Sequence, residues 1–253
     1  MLLCSAYIQV SRQFGGTKNE KMKKILYLSF FINFFTFYGQ EFEFAVINDK
    51  DGFVNIRSSK NIKVSNIVDK LENGFIVTHF GAEGNWIDVE YEKNGKTQSG
   101  YVYKDRVINI LNFTEIKKSK IIENEIIFSN RKIEVKITKK TFDKTKHSFK
   151  YYKDNPNQLH LIDEKEIFGT DGNLPKIEYN TIEIKIDSLK FILPKKAIEN
   201  LYEPNLEYTT VNFDEKTETL YIRTLNGDGA GGYAVIWIIE KGKFKNRITT
   251  IPF

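Results

Sequence analysis

Cysteine is almost missing from this 253-residue chain: Cys4 is the only one. That excludes a disulfide framework, a CxxC redox pair and a cysteine-built metal site. Histidine is nearly as scarce, with His79, His147 and His160 as the whole supply. Nucleophilic catalysis needs a Ser or Cys beside a positioned base, and a hydrolytic zinc centre needs a ligand set such as paired His with Asp. The spacing of these three histidines forms neither motif. The acids are numerous, but no pair of them is marked by sequence as a general acid and base. No catalytic residue, metal site or cofactor is therefore expected. Methionine (2) and proline (5) are also few, whereas Phe (20) and Tyr (13) abound. Aromatic and β-branched residues suit half-buried pleated surfaces, so the composition leans toward strands.

Net charge is small and unevenly placed. The formal +5 includes Arg12, Lys18, Lys21, Lys23 and Lys24 against Glu20 within residues 1–39. Without that segment 33 basic and 32 acidic residues remain. A near-neutral chain with no arginine cluster does not suit nucleic acid, whose binders depend on many phosphate contacts. The segment itself has a recognisable pattern: Met22-Lys23-Lys24, an apolar run from Ile25 to Tyr38, then Gly39-Gln40. A positive start, a short apolar middle and a small residue at the exit read as a secretory signal peptide. The run is shorter than the roughly 20 residues a membrane-spanning helix needs, so no stable anchor is expected after cleavage. Residues 1–21 lie upstream of a complete signal, which points to Met22 as the start of translation. The product is expected to be exported, periplasmic or extracellular.

From Phe44 to Ile110 brief strands alternate with Gly and Asn turns. The expected strands are 44–47, 54–57, 66–71, 75–80, 86–91 and 98–103, with Asn73-Gly74 and Asn94-Gly95 as hairpin turns. Six strands in so short a span suggest a small barrel. The order Gly52-Phe53-Val54-Asn55-Ile56-Arg57, then Leu71-Glu72-Asn73-Gly74, then Gly84-Asn85-Trp86, then Gly100-Tyr101-Val102 resembles a bacterial SH3 domain. The departure is at Lys60-Asn61-Ile62, where that family carries Pro or Gly in the loop shaping its groove. The resemblance implies a non-catalytic binding role, with an aromatic groove recognising a peptide or a cell-wall stem peptide.

Phe53, Trp86, Tyr101 and Tyr103 are the candidate ligand-binding residues, because Tyr and Trp offer a large apolar face with a polar tip. Strand alternation puts Tyr101 and Tyr103 on one face and Val102 on the other. The competing reading is that these rings simply pack the barrel.

Residues 117–150 hold eleven basic residues against Glu123, Glu125, Glu134 and Asp143. This is either a solvated face balanced by acids elsewhere or a patch for anionic polymers. Ile133, Val135 and Ile137, and again Ile182, Ile184 and Ile186, alternate with charged residues as half-buried strands do. Pro194 to Tyr202 is the expected short helix, begun by Pro194 and stopped by Pro204. Strands at 211–213, 219–223, 233–240 and 243–251 are expected to close the chain as a meander. The glycine loop Asn226–Gly232 lacks the Lys-Ser/Thr of a phosphate cradle and the carboxylates of a calcium loop. It reads as a structural hairpin loop, with Asn226, Asp228 and Tyr233 as possible loop contacts for a ligand. The passage from Asn226 to Trp237 resembles exported proteins of Bacteroidetes type that have no known activity.

The sequence thus predicts a mainly β protein: upstream segment and signal peptide (1–39), an SH3-like small barrel (41–110), and a β-rich C-terminal domain with one short helix (119–253). Peptide, peptidoglycan or a protein partner are the expected ligands. A structural adaptor or inhibitor- or immunity-like protein, binding a partner through the C-terminal domain, is the alternative; a cell-envelope hydrolase is a third reading.

Overall fold

The structure is a computed structural model that describes residues 42–227 and 229–252. The expected signal peptide, the start at Met22 and Asp228 lie outside the described residues. The fold is mainly β, built from antiparallel sheets.

Seven strands form the first sheet: β1 (Glu43–Ile47), β2 (Phe53–Arg57), β3 (Ile67–Glu72), β4 (Ile76–Glu83), β5 (Trp86–Lys93), β6 (Lys96–Tyr103) and β7 (Val107–Asn109). They lie in the order β3-β2-β6-β5-β4-β1-β7. Alternation sends Val54, Ile56, Val89, Tyr91 and Val102 inward, where they meet Leu71 of β3 and Ala45 and Ile47 of β1 in one core. Strands about 4.8 Å apart could not bring β3 and β1 to a common core in a flat sheet, so the sheet is curled. Tyr91 crosses that interior and donates its hydroxyl to Asp69 of β3 at 2.9 Å. A Cβ on Gly100 would lie 2.5 Å from Ile56, so only glycine lets β6 approach β2 this closely. The expected barrel is nevertheless not closed by strand pairing, since β3 and β7 remain as edges.

Of the two expected hairpins, one forms. Asn94 and Gly95 take φ of 57° and 70° and join β5 to β6 in a tight turn. Asn73-Gly74 does not join paired strands: β3 pairs with β2, while β4 pairs with β1 and β5. The turn is held instead by the loop after β1, through Gly74 N–H to Ile47 O at 2.9 Å and the Asn73 side chain to the backbone of Asp49. A dipeptide suited to a turn fixes the bend but not which strands pair across it.

After the first sheet, β8 (Thr114–Glu115) pairs with Asn212 and Phe213 far along the chain, so the chain enters the next layer between the two expected segments. β9 (Lys118–Ile122), β10 (Glu125–Ser129), β11 (Ile133–Thr141), β15 (Ile177–Ile186) and β16 (Leu189–Ile192) form a five-stranded sheet. β12 (Phe149–Tyr151), β13 (Leu159–Ile162) and β14 (Lys165–Glu166) form a small sheet over a minor core of Phe142, Leu159, Ile162 and Tyr202. β17 (Thr210–Asp214), β18 (Thr219–Asn226), β19 (Tyr233–Glu240) and β20 (Lys243–Thr250) complete the last sheet with β8.

That last sheet is the middle layer. Tyr233, Val235, Trp237 and Ile239 of β19 pack on Val135, Ile137, Ile182 and Ile184 of the five-stranded sheet. The alternate residues Ala234, Ile236 and Ile238 pack on Phe44, Val46, Ile76 and Ile110 beside the first sheet. Seven of the eight β19 residues are buried, so its near-continuous apolar run reflects burial on both faces. β1 is two-faced in the same way, with Phe44 and Val46 toward the middle layer and Ala45 and Ile47 in the first core. The ion pair between Glu43 of β1 and Arg223 of β18, both largely buried, ties the same two layers.

The expected helix over 194–202 is reduced to a 3-10 turn at Lys195–Ala197. Its next carbonyl bonds were captured by tertiary donors: Trp237 Nε1 reaches Ala197 O at 2.6 Å, and Arg247 reaches Glu199 O at 2.9 Å. Asn200 then turns to φ 57°, and Leu201 and Tyr202 make single bridges to Phe168 and Glu178. A nine-residue helix has little intrinsic stability with which to compete.

Burial of β19 on both sides predicts that Ile236→Ala, which touches only the first-sheet side, costs about 2–5 kcal/mol in urea unfolding. A cost below about 1 kcal/mol would mean that this face is not packed as described.

Candidate functional site

The outer face of β5 and β6 carries the aromatic residues that sequence singled out. Val102 is buried while Tyr101 and Tyr103 are half-exposed, as alternation requires. Trp86 stands opposite Tyr103 in the register, with ring centroids 4.2 Å apart. Tyr101 lies opposite Asp88 on β5 and Arg57 on β2. Trp86, Tyr101 and Tyr103 are thus brought together. Phe53 is not: it sits four residues down β2 from Arg57, about 13 Å along a strand, with Lys70 Nζ 3.5 Å from its ring centre.

Cations cover two of the remaining rings. Lys60 Nζ is 5.3 Å from the Tyr101 ring centre and Arg106 is 5.9 Å from that of Tyr103. Each cation is itself paired, Lys60 with Glu83 and Arg106 with Asp49 at 3.2 Å. The hydrogen bond to Glu83 raises the Lys60 pKa above its ordinary value despite some opposing desolvation. Among the described residues no cation lies over Trp86, whose ring packs against Tyr103 instead.

Arg57 shapes one side of this shelf. Its guanidinium donates to Lys63 O at 2.6 Å and Asn66 Oδ1 at 2.8 Å. Asn66, buried, donates in turn to Asn61 O at 2.9 Å and Ser59 Oγ at 3.0 Å. The loop 58–66 is therefore held from within while Ile62 and Val64 point outward, 69% and 88% exposed. Ile62 joins Asn55, Arg57, Trp86, Tyr103 and Arg106 around a cleft of about 50 Å³. That volume suits a water molecule or two rather than a buried side chain. The surface is a shelf, so a ligand would lie on it.

The glycine loop is a structural hairpin loop. It joins β18 to β19 across the pair Asn226 and Tyr233. A Cβ on Gly231 would lie 2.5 Å from the Thr170 backbone, and Gly169 N–H donates to Gly231 O at 3.1 Å. Asn226 is buried, donating to Tyr179 Oη at 2.9 Å and accepting from Asn205 N–H at 2.8 Å. Tyr233 is buried with its hydroxyl on Tyr202 O at 3.0 Å. Asn226 and Tyr233, two of the three expected loop contacts, are spent inside the fold, and burial drives the pKa of Tyr179 and Tyr233 upward.

The histidines have local duties. His147 Nδ1 lies 2.7 Å from Asp163, which also accepts from the Ser148 backbone and hydroxyl. The serine hydroxyl sits on the carboxylate rather than on the imidazole, so this trio does not have the geometry of a nucleophile and its base. His160 lies against Tyr152, ring centroids 4.3 Å apart and planes tilted by 38°. His79, 9% exposed, accepts the Gly81 N–H on Nδ1 at 3.0 Å and is held neutral by burial, which lowers its pKa.

Six of the eleven basic residues in 117–150 pair with acids, Lys132 with Asp187 at 3.8 Å among them. Lys120 and Lys136 both reach Glu125 at 2.9 Å, Lys140 reaches Glu178, Lys146 reaches Asp143 and Lys150 reaches Glu164. This arrangement fits the balanced solvated face. Sequence missed a concavity of about 540 Å³ that runs along β20 rather than beside the aromatic shelf. No protein-family model, curated protein or solved structure matches the chain.

His79 gives a pH test. Its folded pKa lies below the unfolded 6.5, so the unfolded chain binds more protons in that window and stability falls as pH drops below about 6.5. His79→Gln keeps an acceptor but cannot titrate. Urea midpoints at pH 7.5 and 5.5 should therefore fall less in the variant than in the parent; equal falls would remove His79 as the cause.

Proposed function

We propose that this protein is an exported, non-catalytic binding protein whose first sheet recognises a peptide, a cell-wall stem peptide being the candidate the bacterial SH3 resemblance suggests. The observation that carries the reading is the shelf of Trp86, Tyr101 and Tyr103. Val102 fills the core between the tyrosines, so these rings are not needed to close it. The exposed Ile62 extends the shelf with apolar surface on a loop fixed by Arg57 and Asn66. Aromatic groups supply contact area at small entropic cost, which favours recognition over catalysis here.

A second reading, an adaptor or inhibitor that binds a protein through the C-terminal half, draws on the edges of the five-stranded sheet. Ile121 and Ile122 on β9, and Leu189 and Ile192 on β16, are exposed apolar residues on unpaired edge strands.

The chain starting at Gln40 should co-sediment with purified peptidoglycan in 0.5 M salt, and Trp86→Ala should reduce retention about tenfold, equivalent to roughly 1.4 kcal/mol, without shifting the unfolding midpoint. Retention that disappears in salt would assign binding to the 117–150 lysines. No retention, with a protein partner recovered in stoichiometric amount instead, would favour the adaptor.

A further inference from the structure

A large concavity lies between the first sheet and the middle layer, alongside β20. One chamber of about 540 Å³ is bordered by Glu72–Ile76, Glu92, the Asn94-Gly95 turn and Lys245–Ile248. A second, of about 340 Å³, lies across the Asn73-Gly74 turn and shares Asn73, Gly74, Ile238 and Lys245 with the first. A narrower extension continues past Thr78 and Glu90 to Thr250. Together they form a trough that follows β20 to its end.

Three features of this trough point to one kind of occupant. First, among the described residues β20 pairs only with β19, so alternate residues of β20 direct their N–H and C=O groups away from the sheet. The register is disturbed only near Ile238 and Ile239, leaving Asn246–Thr250 as a regular stretch of about 17 Å. Second, the floor is apolar, supplied by Ile76, Ile238 and Ile248. Third, the first-sheet wall is acidic. Thr78 and Glu90 are paired across β4 and β5, and Ile76 and Glu92 follow on the same face, which turns Glu90 and Glu92 to the trough. Glu72 stands at the rim. None of the described ion pairs engages Glu72, Glu90 or Glu92, whereas Lys245 is matched by Glu240 at 2.5 Å. Arg247 points the other way, toward the backbone of Ala197 and Glu199.

We infer that the trough binds an extended peptide segment bearing lysine or arginine, which adds a strand to β20 and sets its cations against Glu72, Glu90 and Glu92. Strand addition supplies sequence-independent main-chain bonds, and the acidic wall selects the charge. This site is separate from the aromatic shelf and does not depend on it.

The test uses the chain from Gln40 and two labelled peptides, Lys-Val-Lys-Thr-Lys-Val-Lys and its Glu-for-Lys counterpart, with fluorescence anisotropy at low salt. The basic peptide should bind at least tenfold more tightly than the acidic one. Glu72→Lys with Glu92→Lys should weaken it at least tenfold, and Asn246→Trp, which fills the trough from an exposed position, should do the same. Trp86→Ala should leave the affinity within twofold, and hydrogen exchange at residues 246–250 should slow on binding. Equal binding of the two peptides would overturn the inference, as would affinity unchanged in both trough variants. A concentration-dependent dimer lost in Asn246→Trp, without peptide protection of β20, would assign the edge to a second copy of the chain and equally overturn it.

Discussion

Burial of β19 on both faces is the constraint on which the other layers depend. A strand with one wet face can be replaced or shifted without consequence for what lies beyond it, but β19 supplies wall to two cores at once. Trp237 and its odd-numbered neighbours complete the core against the five-stranded sheet, and Ile236 with its even-numbered neighbours completes the one against β1 and β4. A one-residue slip would exchange these two sets and bring Trp237 to the side now filled by Ala234 and Ile236. Register at β19 is therefore set from both directions, and the hairpins on either side inherit it.

The same strand decides what happens to the segment after Pro194. Trp237 must bury an indole N–H, and the nearest acceptor is the carbonyl of Ala197. Once that carbonyl and that of Glu199 are bonded to Trp237 and Arg247, the backbone ladder of a helix would only compete with bonds already made. The apolar spacing of Ala197, Ile198 and Leu201 is real and buries Ala197 and Leu201. Helical spacing in so short a stretch shows which side chains go inward, not the backbone that takes them there.

Although β1 and the start of β4 are buried on both faces, the first sheet was legible almost strand by strand, because β2, β5 and β6 bury one face and so alternate. Ile133–Thr141 and Ile177–Ile186 were legible for the same reason. What sequence does not carry is pairing between distant strands. Asn73-Gly74 has the residues of a hairpin turn and forms a bend between strands that pair with others, because the partners of β3 and β4 are chosen by the curled core. Of the aromatic set, alternation correctly grouped Tyr101 with Tyr103, and the register added Trp86; Phe53 fell away because proximity in sequence to Arg57 is distance along an extended strand. Asn226 and Tyr233 looked available because they flank glycines, yet those glycines are there to let backbones touch. The trough along β20 left no local signal, since its walls come from residues more than 140 positions apart.

Two chemically different surfaces result, an aromatic shelf with paired cations and an acidic trough beside a free strand edge. Both are framed by the first sheet, and the trough exists only while that sheet is held against the middle layer through Phe44, Val46, Ile236 and Ile238. The most direct test of this account is calorimetric unfolding of the chain from Gln40. A shared middle layer predicts one transition with equal calorimetric and van't Hoff enthalpies. Two separable transitions, with residues 42–110 retaining native hydrogen-exchange protection after the rest has unfolded, would contradict it.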